Sequence, residues 1–271
     1  MYKRQAGVFA ASCLALLVVM GMFAPEHLAQ PDLSMAYASP GELPPFGADN
    51  RGRPLLEYAQ QGAQVVALPA MLGGLVVLLF GTLGGLLACV GSGRVQAAVQ
   101  GFGEVVGALP RLVVVLVVAL LLPQDMRGLT PIALTWALLA APGAMDEAAS
   151  VAGRLGGARF VEALRAHGFS RARIYLYHIV ALNLRPVVVR QAIETVMQVV
   201  FLEIALSYLA LSDSQPSFTH NDSVRSWADI LYLGYQVILD VETGHALALG
   251  LGLVGVVALM SLSVTWAVRA R

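Results

Sequence analysis

The sequence predicts an all-α membrane protein with six transmembrane helices and both termini in the cytoplasm. Three observations lead there. Of 271 residues, 58% are hydrophobic and 13% charged, with a mean hydropathy of +0.72, well beyond the apolar share of soluble domains. The apolar residues gather into runs close to the roughly 20 that a helix needs to cross the hydrocarbon core. The charges cancel to a formal net of zero, yet they sort by side once the runs are treated as spans.

In order, the runs cover residues 6–24, 65–90, 105–122, 129–144, 186–211 and 245–268. The first follows Lys3 and Arg4 as a signal peptide core would, but "GMFAPEH" offers no good small-x-small cleavage site, so a retained helix is expected. In the third, Arg111 follows Pro110 near the inner end and can snorkel to the interface. The fourth is short and opens on Pro131, which suits a first turn whose N–H has no intrahelical partner. The fifth is interrupted by Glu194, Gln198 and Glu203. The resulting plan is an N-terminal transmembrane helix at 1–24, an extracytoplasmic segment with a short interfacial helix at 25–64, and a core of five transmembrane helices at 65–271. That core includes a cytoplasmic loop at 145–185 and an extracytoplasmic loop at 212–244.

The basic residues give the orientation. Lys3, Arg4, Arg94, Arg154, Arg159, Arg165, Arg171, Arg173, Arg185, Arg269 and Arg271 fall in or beside one set of loops, whereas the other set holds Arg51, Arg53, Arg127 and Arg225. The richer side is cytoplasmic by the positive-inside rule. Glu26, Asp32, Glu42, Asp49, Glu57, Asp125, Asp213, Asp222, Asp229, Asp240 and Glu242 mirror this on the outside. They either favour a cationic or zwitterionic solute there or simply follow from topology. In the first outer segment, "RPLLEYAQQGAQV" reads as a short helix on the membrane surface through Leu55, Leu56 and Tyr58. In the second, "SWADILYLGYQVI" places Trp227, Tyr232 and Tyr235 in an interfacial belt or a re-entrant helix.

Several chemistries are excluded. Cys13 and Cys89 lie inside apolar runs and read as small buried hydrophobes, not as a disulfide or metal framework. Lys3 is the only lysine, so no phosphate-binding G-x-x-x-x-G-K-[ST] loop exists, and any ATP and Mg must be bound by partner subunits. Neither H-E-x-x-H nor G-x-S-x-G occurs, and His27, His167, His178, His220 and His245 form no ligand cluster, which argues against a membrane hydrolase and leaves no catalytic or metal site. No feature points to nucleic acid.

The cytoplasmic loop carries the argument about function. "RFVEALRAHG" reads as a helix with Phe160, Leu164, Ala163 and His167 toward one face and Gly168 as its left-handed terminator. Ser170 is then placed to cap a second helix, "RARIYLYHIVALNL". There Ile174, Tyr177 and His178 follow helical spacing, while Arg165, Arg171 and Arg173 stay in water. Such a knob either packs under the membrane domain or docks into a groove of a soluble partner, and periodicity leaves both open.

The segment "VEALRAHGFSRARIYLYHIV" resembles the coupling loop of ABC importer permeases of the dipeptide/oligopeptide/nickel group, whose pattern runs E-A-A-R-A-L-G-A-S-x-x-R-I-x-x-x-H-I-L-P-N. Glu162, Ala163, Arg165, Gly168, Ser170, Arg173, Ile174, His178 and Ile179 match in register. Similar motifs follow the same order elsewhere: "FGADNRGRP", "ALPRLVVVLVVALL", "APG" at Ala141 to Gly143, "EIALSYLAL" from Glu203, and "SWAD" from Ser226. Together they resemble the second, shorter-loop permease subunit of such importers.

The resemblance implies a type I importer permease fold in the bacterial inner membrane. It also implies pairing with a homologous permease, two cytoplasmic ATPase subunits docked on Phe160 to His178, and an extracytoplasmic solute-binding protein. Di- or oligopeptides are the first solute it implies; nickel or a metal chelate, antimicrobial peptides, or a non-transporting scaffold role remain alternatives. Departures from the pattern are Leu164 for alanine, Ala181 and Leu182 for Pro-Asn, Pro54 after Arg53, and Asp146 and Glu147 at positions usually basic or neutral. The loss of Pro-Asn is expected to alter the exit from the second loop helix.

Two further features stay open at this level. Glu194 and Gln198 share a helix face, while Glu203 lies about half a turn round from Glu194. Polar groups at this depth serve either interhelical hydrogen bonding or a translocation pathway. "DEAASVAG", from Asp146 to Gly153, has a spacing like the coupling motif but no I-x-x-x-H-I continuation, and reads as the acidic exit of the fourth helix.

Overall fold

A computed structural model of the chain describes residues 2–90, 93–123, 128–156, 159–170, 173–212, 226–240 and 244–269. Asp125, Arg127, Arg171, Asp213, His220, Asp222, Arg225, Glu242 and Arg271 from the charge assignments above lie outside them. The described residues hold no strand; between Met22 and Leu55 the chain runs as turns and coil with a 3-10 turn at Leu33–Met35 and an isolated antiparallel bridge between Ala48 and Pro54, and the rest is mainly helix. The helices are α1 (Tyr2–Met22), α2 (Leu55–Val90), α3 (Gly93–Gly107), α4 (Arg111–Leu121), α5 (Leu129–Gly156), α6 (Arg159–Ala166), a π-wound segment (Arg173–Leu184), α7 (Arg185–Ser212), α8 (Trp227–Asp240) and α9 (His245–Arg269).

Each of the six apolar runs falls mainly in helix, the third of them in two pieces. Residues Leu55–Leu87 of α2 and His245–Trp266 of α9 are each long and apolar enough to cross a membrane, and the pair Ala97–Gly107 and Arg111–Leu121 is so if counted as one bent span. The expected continuous span at 105–122 is therefore corrected. It breaks before α4, where Pro110 is the N-cap (φ −69°, ψ 101°), and the two helices meet at 73°. Proline supplies no N–H and pushes the residue before it out of the α region, so the helix must end and restart.

The chain divides into two compact units. One comprises Met1–Ala70, Pro123–Pro131 and Met197–Ala267, the other Met71–Leu122, Ile132–Val196 and Val268–Arg271. In the first, the start of α2 corrects the expected separate surface helix. Leu55 and Tyr58 belong to a continuous 36-residue helix, about 54 Å long at 1.5 Å per residue, and are 0% and 2% exposed.

The polar groups of the segment preceding α2 fold onto that start. Asp49 accepts from the backbone N–H of Arg51 and Arg53 at 2.8 Å each and from the Tyr58 hydroxyl at 2.5 Å. Glu57 accepts from Ala29 N–H at 2.7 Å, and Gln61 donates to the Pro25 carbonyl at 3.0 Å. On the exposed turns, hydrogen bonds from the Ser34 hydroxyl and amide hold the Asp32 carboxyl below its usual range, and Ser39 does the same for Glu42.

Trp227 is likewise core and not an interfacial anchor. It is 2% exposed and donates from Nε1 to the Ala59 carbonyl at 3.0 Å. Tyr232 is half-buried, and Tyr235 is exposed. At the head of α8, Ser226 Oγ accepts from Ala228 N–H and Asp229 accepts from Ser226 N–H, a reciprocal capping box.

In the second unit, α2, α5, α7 and the π-wound segment pack closely. A Cβ on Gly84 would lie 2.6 Å from Met145 Cβ and 2.7 Å from its Cα, so the close approach of α2 to α5 requires glycine there. Val77, Ala137 and Ala144 fill one cluster, and Ala148, Ala152, Ile179, Leu184 and Val188 another. Asp146 to Gly153 lie in the final turns of α5, as the sequence reading of "DEAASVAG" expects.

Candidate coupling site

The loop between α5 and α7 folds as the sequence suggests, with one change of winding. In α6, Val161 is 1% exposed, Glu162, Ala163 and Arg165 are exposed, and Leu164 is half-buried; Phe160 lies in the first turn. The helix closes on Gly168 at φ +78°. Gly168 N–H donates to the Arg165 carbonyl at 2.9 Å and Phe169 N–H to the Leu164 carbonyl at 3.1 Å, the paired bonds of a Schellman termination. His167 Nδ1 contacts the Ala163 carbonyl at 2.7 Å. Beyond the turn, Ser170 accepts from Arg173 N–H through its hydroxyl at 3.4 Å and from Ile174 N–H through its carbonyl at 3.1 Å.

The second helix is wound with i→i+5 hydrogen bonds over Arg173–Leu184, a wider turn than the α-helix expected there. This redraws its faces. Ile174, Ile179 and Leu184 are five residues apart along the chain, and all three are buried at 1%, 0% and 0% exposure. The expected apolar face of Ile174, Tyr177 and His178 is corrected, since Tyr177 is 54% exposed. Leu176 and Leu182, at 58% and 50%, are exposed with it. Asn183 donates to the His178 carbonyl at 2.6 Å, closing the run before α7.

Aromatic and cationic contacts fix the outer surface of the turn. The Arg173 guanidinium stands 4.9 Å from the Phe169 ring centroid. His178 meets Phe169 and Tyr177 edge-on at 5.8 and 5.1 Å, and Arg165 donates to the Tyr175 hydroxyl at 3.0 Å. The structure thus gathers Arg165, Gly168, Ser170, Arg173, Ile174 and His178 around one turn. It sets Glu162 and Ala163 on the exposed side of the adjoining helix.

Glu194 accepts from Arg190, one turn earlier, at 2.5 Å. Gln198 is half-buried. Glu203, 3% exposed, accepts from Ser207 Oγ at 2.8 Å, four residues on along its own helix.

Sequence reasoning missed Arg190 and the role of Glu147. Arg190 Nη2 reaches both Glu147 oxygens at 2.6 and 2.5 Å, and Gln191 Nε2 donates to Glu147 Oε2 at 2.5 Å. The i,i+4 spacing of Arg190 and Glu194 was legible. The pairing with Glu147 is long-range and was not. No group of three or more His, Cys, Asp or Glu residues able to hold a metal ion is found among the described residues.

No family model matches the chain. It is 26% identical over 242 residues to a probable D,D-dipeptide transport system permease protein of Escherichia coli, covering 86% of this chain and 76% of the relative. It is also 26% identical over 208 residues to a dipeptide transport system permease protein of Lactococcus lactis, covering 75% of this chain and 59% of that protein. Over most of its length, therefore, the chain is a homologue of curated dipeptide-transport permeases and matches the second-permease pattern read in its motifs.

Proposed function

We propose that the chain is a permease subunit of an ATP-driven importer for di- or oligopeptides in the bacterial inner membrane, with six spans and both termini in the cytoplasm. It pairs with a homologous permease, takes solute from an extracytoplasmic binding protein, and presents residues Phe160 to His178 to two ATPase subunits that bind ATP and Mg. The observation that carries this reading is the glycine-terminated helix and exposed aromatic turn between α5 and α7. A short helix ends in a fixed geometry, and the helix after it exposes Leu176, Tyr177 and Leu182, with Arg165 and Arg173 exposed in the same loop, which suits docking into a groove of a soluble partner. The similarity to dipeptide-transport permeases supports the solute class.

The mechanism follows from a two-state element biased from outside. This chain binds no nucleotide; closure of the ATPases displaces the docked turn, and the helices leaving it shift between inward-open and outward-open packings. The free energy comes from the difference in ATPase affinity for the two packings. Glu194 and Glu203 act in this scheme as polar helix contacts, not as solute ligands.

The reading is tested by purifying the full transporter with Leu176→Asp and Tyr177→Asp together. Both side chains are exposed, so the chain folds and inserts normally, while ATPase capture falls by tenfold or more and peptide-stimulated hydrolysis disappears. Normal capture and stimulation in the double variant refutes the docking surface. Orientation is read separately by cysteines at Glu162 and Glu42: an impermeant maleimide on intact cells labels only the second.

A further inference from the structure

The coupling turn connects to the rest of its unit at two points, back into α5 through Gly156 and on into α7 through Arg185. Just beyond both points the two helices are joined side chain to side chain. Arg190 Nη2 reaches both oxygens of Glu147 across the helix pair, while Nη1 is held by Glu194, and Gln191 adds a second donor to Glu147 Oε2. Arg190 is 15% exposed. Beneath this contact, Ala148 and Ala152 of α5, Ile179 and Leu184 of the π-wound segment, and Val188 of α7 form one buried cluster. Apolar contacts of small side chains resist separation but slide, because they have no directional preference. Charge-assisted hydrogen bonds from two neighbouring donors, Arg190 Nη2 and Gln191 Nε2, onto one carboxylate are directional and fix its place against α7.

Resting on the proposed coupling role of this turn, we propose that Glu147 and Arg190 form a latch that makes α5 and α7 move as one body when the turn is displaced. They are positioning residues: neither touches nucleotide, and their effect on transport passes through the two helices they join. Glu194 has a different part. It binds Arg190 Nη1 from the same helix, and this contact steadies the guanidinium within α7. Removing Glu147 opens the latch; removing Glu194 leaves it closed.

The test uses the complete transporter in proteoliposomes and the full chain in nanodiscs. Glu147→Gln is expected to keep basal ATP hydrolysis within about twofold while peptide transported per ATP falls at least fivefold. The double reversal Glu147→Arg with Arg190→Glu is expected to restore at least half of that ratio. A loss of fold alone lowers yield and basal turnover together and is not repaired by reversal.

An independent readout needs no transport. Spin labels at Ser150→Cys and Arg185→Cys, with Cys13 and Cys89 replaced by serine, give a narrow distance distribution. This broadens in Glu147→Gln and stays narrow in Glu194→Gln. An unchanged distribution in Glu147→Gln, or equal broadening in both variants, overturns the latch. So does a coupling ratio that the double reversal fails to raise above either single variant. A wild-type transporter without peptide-stimulated hydrolysis instead refutes the permease reading and leaves the spin-label result to decide the latch.

Discussion

Replacing Gly168 by alanine isolates the contribution of one backbone angle to the turn that ends α6. The residue sits at φ +78°, and a Cβ built there meets nothing within 4 Å, so crowding plays no part. The left-handed conformation costs a residue with a Cβ about 1–2 kcal/mol. Alanine also stiffens the opened chain, which offsets about 0.4–1 kcal/mol. The net loss is about 1 kcal/mol, a factor of about 5 in the closed-to-open ratio.

The bonds at stake are those from Gly168 N–H to Arg165 and from Phe169 N–H to Leu164. Hydrogen exchange on the full chain in nanodiscs should therefore show protection at the 168 and 169 amides falling about fivefold in Gly168→Ala. Asparagine tolerates the left-handed region, so Gly168→Asn should lose twofold or less. Equal losses in the two variants, or none in alanine, would refute the assignment of Gly168 as a conformational terminator.

Other outcomes follow from single contacts. Trp227→Phe keeps an aromatic ring near Ala59 but removes the Nε1 donor and leaves a gap where the second ring packed, and should cost about 1 kcal/mol for the hydrogen bond with a further loss for the cavity in thermal unfolding. Tyr58→Phe strips one partner from the buried Asp49 carboxylate and should cost more, about 1.5–3 kcal/mol as expected for a bond to a charged group. Pro110→Ala removes the obstacle to a continuous helix, so spin labels at Ala98 and Leu116 should move apart as the 73° bend relaxes. Asp32 and Glu42 have folded pKa values below their unfolded ones. The stability they lend is present above the unfolded values of about 4 and is lost as pH falls through the lower folded values. Protection of the Ser34 and Ser39 amides, taken relative to the intrinsic exchange rate at each pH, should accordingly fall on acidification below about pH 4.

How much was legible in the sequence depends on the range of each interaction. Apolar runs fixed where helix forms, because a chain in hydrocarbon must satisfy its backbone internally. The end of α6 was legible too, since Gly168 and Ser170 act on backbone within a few residues of themselves. Local reasoning failed where a local signal had several tertiary outcomes. Leu55, Tyr58 and Trp227 are amphipathic aromatic and aliphatic residues beside a membrane, and from sequence they suited its surface. They are buried because Asp49 and the Ala59 carbonyl supply partners for the Tyr58 hydroxyl and the Trp227 indole.

The winding of Arg173–Leu184 was hidden for a related reason. Ile174, Ile179 and Leu184 are spaced for an i→i+5 helix, yet Tyr177 and His178 offered an α-helical face of equal merit, and only packing against Ala148 and Ala152 selects between them. By itself the sequence determined an all-helical chain with apolar segments of membrane-crossing length, sorted charges and a glycine-terminated turn between α5 and α7, all of them set by composition or by contacts a few residues long. The tertiary structure alone decided that Arg190 grips Glu147, because a pairing across 43 positions depends on how α5 and α7 are brought side by side.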